Sequence, residues 1–377
     1  MKSPDNLLMV ADSEHDANML YAVGLFVPDP FIYLRLRGRH YLVMSDLEID
    51  RARRDAPHCH VLSLGKYQER LREEGVKTPG HARVIHQILR ERNIRRVVVP
   101  PNFPLALALE LKRLRIGVAT SRGSFFPQRE LKRADEVKKI SAALMMAEVG
   151  MSEAMHLLRA TKIGRDRRLF HHNVPLTSEK LRSVIDCAIL QACGLAANTI
   201  VAGGKQACDP HERGFGPLRA NEPIIIDIFP RSQKTGYFGD ITRTVVRGRA
   251  SEAVRRLYDT VQRGQTLAFR HVRHGRRTSE VHQAVVEFFE QQGYQTSRRR
   301  GRMEGFFHGT GHGLGLEIHE APRMGPFSKG TLAAGNVVTV EPGLYYPELG
   351  GVRLEDVVLV TRNGARNLTR FEKQLEL

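Results

Sequence analysis

The sequence predicts an α+β protein, with a small α/β domain over residues 1–120, a linker at 121–128 and a larger mixed domain over 129–377. Three observations carry that prediction. Short apolar runs alternate with helical periodicity through the first third of the chain, which is the pattern of layered α/β packing. The stretch Ser121-Arg-Gly-Ser-Phe-Phe-Pro127 then interrupts the alternation. Beyond it, a long helical segment gives way to strand-like runs that end in acidic residues. At 377 residues the chain can bury two cores.

In the first domain, Leu7–Ala11 is a short apolar strand, and Phe31–Arg37 and His40–Met44 read as a hairpin turning at Gly38-Arg39. Pro79–Arg92 has helical periodicity, and Arg96–Pro100 is a buried-type strand. Pro104–Leu114 reads as a helix with proline in its first turn, followed by a strand at Ile116–Ala119. No catalytic constellation falls in this region.

Composition narrows the class. The apolar fraction of 41% and charged fraction of 26% are ordinary for a globular protein. The start of the chain turns acidic after a few apolar residues and does not read as a secretory signal. No apolar run approaches the ~20 residues of a membrane span. Cys59, Cys187, Cys193 and Cys208 lack metal or redox spacing and read as free thiols, which points to the cytoplasm. The net charge of +17 comes largely from arginine, in runs such as Arg51–Arg54, Arg165–Arg168 and Arg298–Arg302. These runs are short, dispersed and free of interleaved aromatics, so a solvated basic surface is favoured over a nucleic-acid site.

The second domain opens with a helical pattern from Arg129 to about Ala160, whose methionines (Met145, Met146, Met151, Met155) read as core packing. An internal repeat follows: Thr177-Ser-Glu and Thr278-Ser-Glu each read as a capped helix start, followed by a region carrying His211 and His308 respectively. Two related halves facing each other would create a cleft. Asp227 ends the apolar run Pro223-Ile-Ile-Ile, and polar residues 230–236 form a turn that brings Asp240 back beside it, aimed by Gly239 and anchored by Thr242. Glu341 ends another strand before Pro342-Gly343, and Arg353 and Glu355 alternate onto one face. Arg353 is placed there to steady the glutamate or a substrate carboxylate. His308, His312 and His319 sit in a loop rich in glycine, which has neither a phosphate-binding lysine nor the glutamate of a helical zinc motif.

A single strand-end aspartate is usually a turn former, and a single glutamate in an alternating strand is usually solvated. Four carboxylates placed in or beside apolar strands are different, because burying like charges without cations is very costly. Asp227, Asp240, Glu341 and Glu355 with His312 form a donor set whose four negative charges suit two divalent metal ions, and this points to metal-assisted hydrolysis.

At these five motifs the chain resembles the pita-bread metallopeptidases, the family of aminopeptidase P, prolidase and methionine aminopeptidase. The resemblance implies a catalytic domain of two pseudo-symmetric α/β halves over residues 129–377, preceded by a creatinase-type N-terminal domain. It implies two metal ions, commonly Mn2+, with Co2+, Zn2+ or Fe2+ as alternatives. Asp240 and Glu355 would bridge both ions, Asp227 would bind one, and His312 and Glu341 the other. Glu341 would also take a proton from the attacking water. His211, His308 and His319 match the histidines that hold substrate and stabilise the oxyanion. The implied reaction is hydrolysis of an Xaa-Pro bond at a free N-terminus by a metal-bridging hydroxide, in a homodimer. An aminopeptidase without proline preference, a non-catalytic chaperone or nucleic-acid adaptor, and a metal-free creatinase-like hydrolase are the alternatives. There are departures from the family pattern: the segment between the two aspartates is longer than usual, and Ile228-Phe229 replaces a small-residue pair.

Overall fold

The computed structural model describes residues 6–377, so residues 1–5, where the reading of the chain's start begins, lie outside it. The chain divides into two compact units, Met1–Pro127 and Gln128–Leu377.

The first unit is a six-stranded mixed sheet. Its strand order is His60–Ser63, Arg39–Met44, Phe31–Leu36, Asn6–Ala11, Arg96–Val99, Gly117–Thr120. The hairpin expected at Gly38-Arg39 forms, with Ile32 opposite Val43 and Leu36 opposite Arg39. The first strand pairs antiparallel with it on one side and parallel with Arg96–Val99 on the other. The helices His81–Glu91 and Leu105–Arg113 match the periodicity, with Pro104 at the cap position just ahead of the first turn. The helices Ile49–Asp55 and Leu64–Glu73 were not evident in the sequence. Their runs of Arg, Asp and Glu bury few residues, Ala52 in the first and Tyr67 and Leu71 in the second.

The long helix of the second unit starts later than the Arg129 the sequence predicts. A short 3-10 turn spans Pro127–Glu130, and the long helix runs Ala134–Ala160. The helix starts at this point because Glu136 accepts from the Arg133 backbone N–H at 2.9 Å. Met151 and Met155 are buried in the core, as expected. Met145 is 65% exposed, because it falls on the opposite face of the helix.

Two helix-on-sheet layers follow. The helices Ala134–Ala160 and Ser178–Gln191 pack on the antiparallel sheet of Ile200–Gly203, Ile224–Ile228 and Ile241–Val245 through Met151, Leu181, Ile185, Ile226 and Ile241. The helices Glu252–His271 and Thr278–Gln291 pack on a five-stranded antiparallel sheet through Val261, Val285, Phe289, Val338 and Val358. That sheet is ordered Glu320–Met324, Gly311–Gly313, Val337–Val340, Asp356–Val360, Ala365–Asn367. The repeat is thus one of architecture rather than of capping. Thr177 caps its helix by accepting from Lys180 N, whereas Thr278 lies inside the first turn and donates to Gly330 O at 3.0 Å. Among the described residues no helix is long and apolar enough to cross a membrane.

Candidate metal centre

The 224–228 and 241–245 strands pair with Asp227 opposite Thr242, so Asp227 and Asp240 lie toward the same end of the hairpin. Gly239 lets this segment pass against the long helix, since a Cβ there would lie 2.5 Å from Ala143 O. Thr242 does not anchor Asp240, as the sequence suggested. It serves Glu355: the Glu355 N–H donates to Thr242 O at 3.1 Å, and Thr242 Oγ1 donates to Glu355 Oε2 at 2.8 Å. One threonine therefore sets the register of two strands that each carry a carboxylate.

Thr339 plays the corresponding part in the other half. Its Oγ1 accepts from His312 N at 3.1 Å and donates to Glu341 Oε1 at 3.3 Å. The Glu341 N–H is fixed to Thr310 O at 2.8 Å. His312 donates Nδ1–H to Gly313 O at 3.1 Å, which leaves the Nε2 lone pair facing Glu341 Oε1 at 3.3 Å and Asp240 Oδ2 at 3.8 Å. Asp240, His312 and Glu355 each offer one ligand atom, all within 4.8 Å of one another. These three line a single cavity of about 830 Å³ with Asp227, Glu341, Arg353, His211, His308 and His319.

The electrostatics are those of anions short of cations. Burial drives the Asp240 carboxyl well above its ordinary range, reinforced by Glu355, Asp227 and Glu341. Glu355 is raised in the same way, by burial and then by Glu341 and Asp227. Burial pushes Glu341 up to about 7 against the opposing charge of Arg353. Burial holds His312 down at about 4, in the neutral form that binds a metal. Asp227 gives the most direct sign: Oδ2 accepts from Arg353 Nη2 at 2.7 Å, while Oδ1 is buried with no hydrogen-bond partner. An unpartnered buried carboxylate oxygen in a cavity lined by three more carboxylates is the environment a cation would satisfy. The donor set, oxygen-rich with one imidazole, fits first-row divalent ions.

Arg353 and His308 are tied together. Arg353 Nη1 donates to the Tyr345 hydroxyl at 3.0 Å, Tyr345 donates to His308 Nε2 at 2.7 Å, and His308 donates Nδ1–H to Gly309 O at 2.8 Å. Burial, with Arg353 nearby, lowers His308 to about 3 and keeps it neutral. Both of its nitrogens are occupied, so meeting an oxyanion would cost the bond to Tyr345. His319 and His211 are exposed on the cavity wall, and the His319 ring meets the His312 ring edge-on at 4.4 Å.

The sequence reading missed two cavity features. Arg323 lies opposite His312 in the paired strands, is exposed, and makes no ion pair among the described residues. Only the strand register identifies it. Phe229, Phe307, Ile318 and Phe327 form apolar wall, and Phe229 belongs to the pair that replaced small residues.

The comparisons agree with this geometry. Residues 138–362 match Metallopeptidase family M24. An Xaa-Pro dipeptidase of Pyrococcus furiosus is 37% identical over 181 residues, covering 48% of this chain and 49% of that protein, so the match spans about half the relative's length. The solved prolidase from Pyrococcus furiosus superposes with a TM-score of 0.77 at 24% identity, covering 98% of each chain. The X-Pro aminopeptidase from Thermotoga maritima superposes with a TM-score of 0.82 at 21% identity, over 98% of this chain and 97% of that one. These likenesses show the pita-bread fold. With the family match covering more than half of the sequence and a buried carboxylate–histidine cluster at its centre, the chain belongs to the M24 metallopeptidases.

Proposed function

We propose that this chain is a dinuclear metallopeptidase that hydrolyses the Xaa-Pro bond at a free N-terminus. The observation that carries the reading is the orphaned Asp227 Oδ1, buried beside Asp240, Glu341, Glu355 and the free Nε2 of His312. The Xaa-Pro dipeptidase relative and the prolidase and aminopeptidase likenesses supply the substrate class.

Asp227, through its unpartnered Oδ1, with Asp240, His312 through Nε2, Glu341 and Glu355 would hold the metal ions. When bound, divalent ions supply Lewis-acid polarisation of the scissile carbonyl and acidify water at neutral pH; manganese is the ion to test first. The Glu341 carboxylate takes the proton of the attacking water and returns it to the proline nitrogen as the carbon–nitrogen bond breaks. His319 and His211 face the open cavity and can donate to the carbonyl oxygen as it gains charge. Arg353 stays bound to Asp227 and Tyr345, so it orients a ligand rather than meeting substrate. Arg323, exposed on the wall and without an ion-pair partner among the described residues, would receive the carboxylate of an Xaa-Pro dipeptide. That placement favours a dipeptidase over an aminopeptidase. In this reading residues 1–120 form the creatinase-type domain, and the active species is a homodimer.

The test is cleavage of Xaa-Pro dipeptides and Xaa-Pro-Xaa tripeptides by the manganese-loaded chain, with Asp240→Ala as control. Dipeptide cleavage that Asp240→Ala abolishes supports the reading, and tripeptide cleavage alone moves it to aminopeptidase. No cleavage of either peptide by protein shown to hold two metal ions would sink it.

A further inference from the structure

A buried charge cluster beside the cavity takes no part in the chemistry above. Glu320 accepts from Arg129 Nη2 and from the backbone N–H groups of Leu316 (2.9 Å) and Glu317 (3.1 Å) at Oε1. Its Oε2 accepts from Lys132 Nζ at 2.7 Å. The side chains of Lys132 and Glu320 are 1% and 6% exposed. Arg129 also reaches Glu317 at 2.7 Å. The loop is wound tightly about this carboxylate, since a Cβ on Gly315 would stand 2.7 Å from Glu320 Oε2. Burial opposes ionisation of Glu320, but the two cations win and hold its carboxyl below the ordinary range.

His319 is the next residue along the chain. Its ring lines the cavity and meets the His312 ring edge-on, but among the described residues it makes no side-chain hydrogen bond or ion pair. No polar bond on the ring fixes its place, so its position depends on the backbone that carries it. That backbone, from Leu316 to Glu320, is gathered by the Glu320 carboxylate. The carboxylate in turn is held by Arg129 and Lys132, which come from the segment before the long helix. A buried ion cluster is a poor source of net stability, because desolvation offsets most of the attraction, but it is highly directional.

We propose that the Arg129–Glu320–Lys132 cluster is the positioning device of His319, fixing the imidazole relative to the metal centre from outside the cavity. The kinetic part of the proposal rests on the peptidase reading; the geometric part does not. The experiment therefore has two readouts on Lys132→Met, Lys132→Arg, the neutralised pair Lys132→Met/Glu320→Gln, His319→Ala and Lys132→Met/His319→Ala.

The first readout is the imidazole nitrogen spectrum of the zinc-loaded protein, with the His319 signal identified by its loss in His319→Ala. Lys132→Met should broaden or shift that signal while leaving His282 in place, and Lys132→Arg should largely restore it. If Lys132→Met does not fold, the neutralised pair is read instead. An unchanged His319 signal overturns the proposal. The second readout is turnover of an Xaa-Pro dipeptide with manganese. Lys132→Met should lose roughly ten- to hundredfold in kcat with KM and metal affinity nearly kept. The same substitution should cost little more in the His319→Ala background. Losses that simply multiply would overturn the proposal. A metal-loaded wild type without activity would count against the peptidase reading alone, and the nitrogen spectrum would still decide the positioning role.

Discussion

Arg353 Nη2 donates to Asp227 Oδ2 at 2.7 Å, and among the described residues Asp227 Oδ1 is buried without a hydrogen-bond partner. On the proposed reading, the guanidinium selects which atom of the aspartate would serve as ligand. Each of its three nitrogens donates one bond: Nη2 to Asp227, Nη1 to the Tyr345 hydroxyl and, at 3.5 Å, Nε to Thr242 Oγ1. Arg353→Met removes the counter-charge and frees the carboxylate to rotate, so manganese affinity should fall roughly ten- to hundredfold. Calorimetric titration of the metal-free protein measures this. Arg353→Lys should lie between, because it keeps the charge and loses the fork. Unchanged affinity in Arg353→Met would rule out this orienting role.

The metal-free protein should lose stability as pH rises. Asp240, Glu341 and Glu355 all have carboxyls raised above their unfolded values, Glu341 to about 7. Their contribution is full below the unfolded range, near pH 4, and is lost as pH climbs through the folded values. Divalent ions bind the deprotonated forms, so the rise in Tm on adding manganese should grow between pH 5 and pH 8. Thermal unfolding at both pH values, with and without metal, checks the sign. A metal-induced rise that does not depend on pH would contradict it.

Arg323 should govern recognition of a free proline carboxylate. A charge-assisted hydrogen bond of this kind contributes about 1.5–3 kcal/mol, so Arg323→Gln should raise KM for an Xaa-Pro dipeptide by roughly ten- to a hundredfold. Little change in kcat is expected. An equal change for dipeptide and tripeptide amide substrates would remove Arg323 from this role.

Gly311 is required by close packing. A Cβ there would lie 2.0 Å from Thr339 O, across the strands that carry His312 and Glu341. Gly311→Ala should destabilise the protein by on the order of 3 kcal/mol and weaken metal binding at the same time. Denaturant unfolding gives the first quantity and calorimetry the second. A stable variant that binds metal normally would show that the strands can separate without consequence.

Acid should act through a different residue. His282 is held down at about 4 by burial, with Nδ1 against Thr310 Oγ1 at 3.0 Å. Its neutral form contributes stability above pH 6.5, and this is lost as pH falls toward 4. His282→Gln should flatten that part of the pH–stability curve, read from denaturant midpoints at pH 7 and pH 4.5.

The site was legible in the sequence where chemistry is local. Each acidic residue of the centre lies in or beside an apolar strand, and His312 sits among glycines, so the donor set could be assembled from five short motifs. The roles of its neighbours were less legible. Thr242 stands beside Asp240 in sequence yet bonds to Glu355. Arg353 alternates with Glu355 yet bonds to Asp227. In both cases the partner lies more than a hundred residues away, and only tertiary packing brings them together, through a β-bridge for Thr242 and Glu355 and between separate sheets for Arg353 and Asp227. The helix Ile49–Asp55 escaped notice because its charged residues leave little apolar periodicity.

The sequence by itself determined which groups are present: a set of carboxylates with one imidazole, placed where burial makes a cation necessary. It also determined the helices up to Ala160, after Thr177 and after Thr278, and the apolar strands, because helical and strand periodicities are local properties of the chain; the helix Glu252–His271 was not read from it. The tertiary structure decided which atom of each group is free. It left Asp227 Oδ1 without a partner, occupied both nitrogens of His308, exposed Arg323 beside His312, and clamped the His319 loop through Glu320. Those outcomes depend on hydrogen bonds and ion pairs between distant segments. Such bonds are directional and short-ranged, so they exist only once the strands are in register.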